Sequence, residues 1–142
     1  HGHDLDVSGI GGTLSGSALA GAAIRATLTH ALRQEDFDIA IPLATRWSEG
    51  VQAAIDRHKL PWTVQQLGCR AEYWFADHPQ NGAEAAATVN DELESYMHLY
   101  ALNRGILLTP FHNMALMTPF HSEIDVDLHT SVFAQCVDEL MS

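Results

Sequence analysis

Positive charge is scarce in this sequence. Lys and Arg total 7 against 18 Asp and Glu, a formal net charge of −11 with His neutral. Nucleic acid and anionic membrane surfaces, which gain affinity from the neutralisation of phosphates, are therefore excluded as partners. Cysteine is nearly absent too: Cys69 and Cys136 are too few for a disulfide framework and fit a reducing cytoplasm. No apolar run approaches a membrane span and no signal-peptide pattern is present, so the expected location is cytoplasmic. Nine histidines are available, with His1 near His3 and with His112, His121 and His129 in one region. They show no His-x-x-x-His with an intervening glutamate and no cysteine pair at zinc spacing, so no metal centre is expected. No Gly-x-Ser-x-Gly elbow is present either. The chain opens His1-Gly2-His3-Asp4 rather than with methionine, and is expected to be a piece of something longer.

The 142 residues, 46% of them apolar, are enough for one soluble domain with a core. Helical character runs from about 14 to 33, with Ala18, Ala22 and Ala26 on one row beside Leu19 and Ala23, small side chains that predict close packing. A second amphipathic helix is predicted over about 36–58, with Phe37, Ile41, Ala44, Ser48, Val51 and Ile55 as its apolar stripe and Pro42 in its first turns. Leu60-Pro61 ends it.

The period then changes. Residues 63–67 and 70–75 are β-branched or aromatic and flank Gly68-Cys69, as two strands with a tight connection or one bulged strand. Residues 77–82 form a loop by composition. A third helix follows with Val89, Leu93, Tyr96 and Tyr100 on its stripe, and Gly105 is placed to close it in a left-handed conformation. Two short strands are predicted at 106–108 and 115–117. Ser122 caps a last helix whose buried face is expected to be Leu128, Val132, Cys136 and Leu140. The order predicts an α+β fold, a small and mainly antiparallel sheet covered by helices and preceded by long helices.

One stretch carries possible chemistry. Gly9-Ile10-Gly11-Gly12-Thr13-Leu14-Ser15-Gly16 runs into the first helix, and unpaired N–H groups, the positive end of the helix dipole and two hydroxyls converge there. That arrangement accepts an anion such as a phosphate. An ordinary N-cap by Thr13 or Ser15 accounts for the same residues.

The segment Gly12-Thr13-Leu14-Ser15-Gly16-Ser17-Ala18-Leu19-Ala20 resembles the GTLSGNPLA signature of class III pyridoxal-phosphate aminotransferases, the group that includes glutamate-1-semialdehyde aminomutase. Further on, Arg104-Gly105-Ile106-Leu107-Leu108-Thr109-Pro110 is similar to the family's GVYLAP strand, and His121-Ser122-Glu123-Ile124-Asp125-Val126-Asp127 to its HTEEDID cap. The three segments follow in the family's order, so the resemblance covers nearly the whole chain from Gly12.

The resemblance implies the C-terminal part of a fold-type I enzyme that binds pyridoxal 5'-phosphate. Residues 1–13 would be a glycine-rich segment left from the large domain and 14–142 the small domain. It also implies a homodimer, with Gly12 and Thr13 binding the cofactor phosphate held by the neighbouring subunit, and a small amino-acid-like substrate. His112 and Asn113, after Pro110, would face that substrate. The following strand lacks the arginine that many members use for a substrate carboxylate, which leans toward the aminomutase branch; Arg70 is either a substitute for it or an ordinary surface arginine. The cofactor's anchoring lysine would lie upstream, because Lys59 sits solvated at a helix end. By this reading the chain alone carries no catalytic residue and is inactive. The alternative is a free-standing acidic α+β module that binds a partner protein or a small anion at residues 9–17.

Overall fold

The computed structural model describes residues 16–109 and 112–142. The chain divides into two compact units, one up to Gln34 and one from Glu35 to Ser142.

In the first unit, α1 (Ala18–Ala26) starts on Ser17, whose Oγ accepts from the Ala20 N–H at 3.1 Å. The cap is thus Ser17 rather than Thr13 or Ser15, and the helix begins four residues later than the alanine pattern predicts. A π-helical turn, Thr27–Ala31, follows, closed by Leu32 N–H donating to Thr27 O. No residue of α1 or of this turn is buried, the small-residue rows included.

The second unit holds the core. The helix α2 (Gln34–Arg57) buries Ala40, Leu43, Ala44, Trp47, Val51, Ala54 and Ile55. The predicted stripe was off by part of a turn: Phe37 and Ile41 are each 38% exposed, and Trp47 is 1% exposed. The helix ends with Lys59 at φ 53° and Leu60 N–H donating to Ile55 O at 3.1 Å, a left-handed close that leaves the Lys59 side chain exposed. Next come β1 (Thr63–Leu67) and β2 (Arg70–Trp74), antiparallel, with Leu67 opposite Arg70 across the turn at Gly68 (φ +57°). This resolves the two-strand alternative in favour of a hairpin.

The predicted third helix is two. Asn81 caps the short α3 (Gly82–Ala87), and Asn90 caps α4 (Asp91–Leu102) by accepting from Leu93 N–H. Met97, Tyr100 and Ala101 are buried in α4, while Val89 and Tyr96 are exposed. Gly105 has φ +84°, and Ile106 N–H donates to Ala101 O, the predicted left-handed stop.

Residues 106–108 are not a strand. Their composition suits one, but among the described residues no neighbour offers a ladder. Then β3 (Met114–Leu116) pairs antiparallel with β2, giving the sheet order β1-β2-β3. Finally α5 (Glu123–Leu140) opens on a capping box: Ser122 Oγ accepts from Asp125 N–H, and Asp125 Oδ2 accepts from Ser122 N–H at 2.8 Å. The Ser122 N–H foremost, and then the Ser122 hydroxyl donating to the same Oδ2 at 2.8 Å, hold the Asp125 carboxyl below its usual pKa. Its core face is Val126, His129, Val132, Phe133, Cys136 and Val137. Leu128 and Leu140, predicted to be buried, are 49% and 39% exposed. A row stepped by four overshoots a full turn by roughly 40° each time and drifts off the face.

The core joins α2, the sheet and α5 through rings: Trp47 stacks on Tyr73 at 6.2 Å, and Tyr73 meets the edge of Phe133 at 5.0 Å. On the surface, Arg46 grips Asp127 through Nε and Nη2 at 2.7 and 2.8 Å. Gly50 lets α2 and α5 approach: a Cβ there would lie 2.6 Å from Thr130 Cγ2 and 2.9 Å from its Cβ. Gly50→Leu is expected to lower stability by about 1–3 kcal/mol through overpacking. An unchanged midpoint in urea unfolding would show that these helices do not meet there.

Candidate functional site

Strand alternation splits β2 between two faces. Ala71 and Tyr73 are buried in the core cluster that includes Trp47 and Phe133, so Arg70, Glu72 and Trp74 lie on the opposite face of the strand. Glu72 is an unusual residue for a sheet centre, a carboxylate only 7% exposed. Its Oε2 accepts from Arg70 Nη2 at 2.6 Å, and its Oε1 lies 3.5 Å from His112 Nδ1. A buried carboxylate needs such partners. The Arg70-x-Glu72 spacing makes them neighbours on one face, so half of this contact could have been read from the strand period.

His112 and Asn113, predicted to face a substrate, both border one cavity. Asn113 is buried; its carbonyl accepts from Tyr73 N–H at 3.1 Å, and its Oδ1 lies 3.3 Å from His98 Nε2. His112 is half-exposed, its N–H donating to Thr109 O. With Glu72, Trp74, Thr88 and Val89 they line a cavity of about 250 Å³. The Trp74 indole N–H is buried and finds no partner among the described residues. The half-exposed His112 imidazole is the group placed to hydrogen-bond a small polar molecule in that cavity. Glu72, His98 and Trp74 were not singled out from sequence, because a lone residue in a strand or helix pattern carries no sign of what it will meet.

Arg70 is not a free cation. Half-exposed and bonded to Glu72, it already has a carboxylate. Gly12 and Thr13, the predicted phosphate ligands, lie outside the described residues, as do Pro110 and Phe111. Among the described residues no three His, Cys, Asp or Glu side chains gather as a metal site, and no helix is long and apolar enough to cross a membrane.

The fold carrying this site has relatives. The chain is 37% identical over 119 residues to glutamate-1-semialdehyde 2,1-aminomutase 2 of Exiguobacterium sibiricum, and 32% identical over 118 residues to the protein of that name from Geobacillus thermodenitrificans. The solved structure of a glutamate-1-semialdehyde aminomutase from Pseudomonas aeruginosa PAO1 matches 99% of this chain at 43% identity with a TM-score of 0.84. The chain is a relative of the glutamate-1-semialdehyde aminomutases. It spans 27% of the length of the two sequence relatives, each match taking in 82% of this chain, and 31% of the Pseudomonas chain. The three-stranded antiparallel sheet with its helices corresponds to the C-terminal part of a fold-type I enzyme. An omega-transaminase from Sphaerobacter thermophilus shares the fold at 18% identity, with a TM-score of 0.72 over 93% of this chain and 30% of its own. No protein-family model matches the chain.

Among the histidines that form this aminomutase-like domain, His129 is buried against Trp47, ring centroids 5.1 Å apart. Burial disfavours its charged form and lowers its pKa to about 4. An unfolded histidine titrates near 6.5, so between pH 6.5 and 4 the unfolded chain binds the extra proton. This contribution to stability is present above about pH 6.5 and is lost as pH falls toward 4, on the order of 3 kcal/mol in all. His129→Leu is expected to remove that increment from the acid side of the stability profile. Parallel profiles for the two proteins in urea titrations from pH 7 to 4 would contradict it.

Proposed function

We propose that this chain is the C-terminal part of a pyridoxal-phosphate-dependent enzyme that moves amino groups, an aminomutase or aminotransferase. The observation that carries the reading is the match over 99% of the chain to an aminomutase whose structure is also known, as a lysine-to-alanine variant, in complex with PMP. That cofactor supplies the electron sink for amino-group chemistry when bound.

The residues of this chain fit a supporting role beside the cofactor rather than its main binding cleft. The sole lysine, Lys59, is exposed at the end of α2, so the covalent anchor belongs to polypeptide N-terminal to these residues. Thr13 donates its hydroxyl, and Gly12 gives close backbone approach, to the cofactor phosphate of a homodimer partner. His112 and Asn113 orient a small amino-acid-like substrate at the cavity on the second face of the sheet. Glu72 and His98 hold that pair in place, so the wall is rigid before substrate arrives.

In the complete enzyme, Thr13→Ala removes one charge-assisted hydrogen bond and is expected to weaken cofactor binding by about 1.5–3 kcal/mol, roughly tenfold to a hundredfold in Kd. Titration of the apoenzyme, followed by the visible absorbance of the lysine-bound cofactor, measures it. An unchanged Kd removes Thr13 from the phosphate site. A complete protein with no such absorbance overturns the enzyme reading.

A further inference from the structure

Among the described residues, β3 is the edge of the sheet and pairs only with β2. Tyr73 N–H donates to Asn113 O and Met117 N–H donates to Cys69 O, so with Ala71 opposite Ala115 the backbone groups of Asn113, Ala115 and Met117 are those turned toward β2. Antiparallel ladders alternate. The N–H and C=O of Met114 and Leu116 therefore point away from the sheet, toward a groove of about 320 Å³ lined on its other side by residues 105–109.

That far wall is also unfinished. Among the described residues the Leu107 and Leu108 N–H groups meet no backbone carbonyl, and the Leu107 side chain is 81% exposed. Trp47 and His129 line the same groove, 1% and 8% exposed, and neither Trp47 Nε1 nor His129 Nδ1 has a hydrogen-bond partner among the described residues. The outer edge of β3 and the unpaired backbone of Leu107 and Leu108 thus border one groove.

We propose that an extended segment of the polypeptide N-terminal to this chain lies in the groove as a fourth strand, pairing with the outer edge of β3. Its backbone bonds the Met114 and Leu116 edge, and its side chains cover Leu107. The occupant is argued from length: relatives run more than three times the span matched here. An intramolecular strand also closes an edge that would otherwise invite pairing between copies. This rests on the proposal that the chain is part of a longer enzyme.

The test is residue-resolved hydrogen exchange on the complete protein. Ala115 and Met117, bonded within the sheet, are the internal standard. All four amides from Met114 to Met117 are expected to exchange slowly, within about tenfold of one another. Alternation, with Met114 and Leu116 orders of magnitude faster, overturns the proposal. So does protection that disappears on dilution, which would assign the groove to a second copy. A photo-crosslinker on Leu107→Cys identifies the occupant: a crosslink to residues upstream in the same polypeptide supports the strand, and one to another subunit sinks it. A complete protein that binds the cofactor yet shows alternation fails this inference alone. One with protected amides and no cofactor fails the enzyme reading alone.

Discussion

The Trp47–Tyr73–Phe133 ring contact holds the second unit together, since it is where α2, the central strand β2 and α5 meet. Everything on the second face of the sheet depends on it. By committing Tyr73 to the helices, the contact turns Glu72 and Trp74 the other way, and Glu72 in turn gathers Arg70 and His112. The same packing excludes water from His129, so its ring is kept neutral by burial rather than by a charged neighbour.

Element types were legible because they follow from local periodicity and capping chemistry. The β1–β2 hairpin, the left-handed Gly105 and the Ser122 capping box all stand where the sequence puts them. Which flank of each helix is buried was read less well. Rows stepped by four favour residues such as Leu128 and Leu140, whereas size and position in three dimensions select Trp47 and Phe133. Residues 106–108 look like a strand by composition and stay unpaired because pairing is a tertiary matter. At the candidate site, His112 and Asn113 came from family resemblance, and the side chains that brace them, Glu72 and His98, came only from the fold.

The apolar residues left outside the core have a common pattern. Leu107, Phe120 and Ile124 are largely exposed, and no residue of α1 is buried. A domain that is about 30% of its relatives' length presents such faces if other parts of a larger protein cover them. The proposed cofactor role has the same character, a hydroxyl and a wall supplied to a centre whose covalent anchor lies elsewhere.

The central claim, that this chain completes a cofactor site belonging to another subunit, is tested most directly with mixed dimers. One subunit would lack the anchoring lysine and the other would carry Thr13→Ala. If Thr13 reaches across the dimer, one site of each mixed dimer has both groups intact, and cofactor affinity at that site returns to the wild-type value. If affinity in the mixed dimers stays at the level of the Thr13→Ala homodimer, the hydroxyl does not serve the partner's cofactor and the account is wrong.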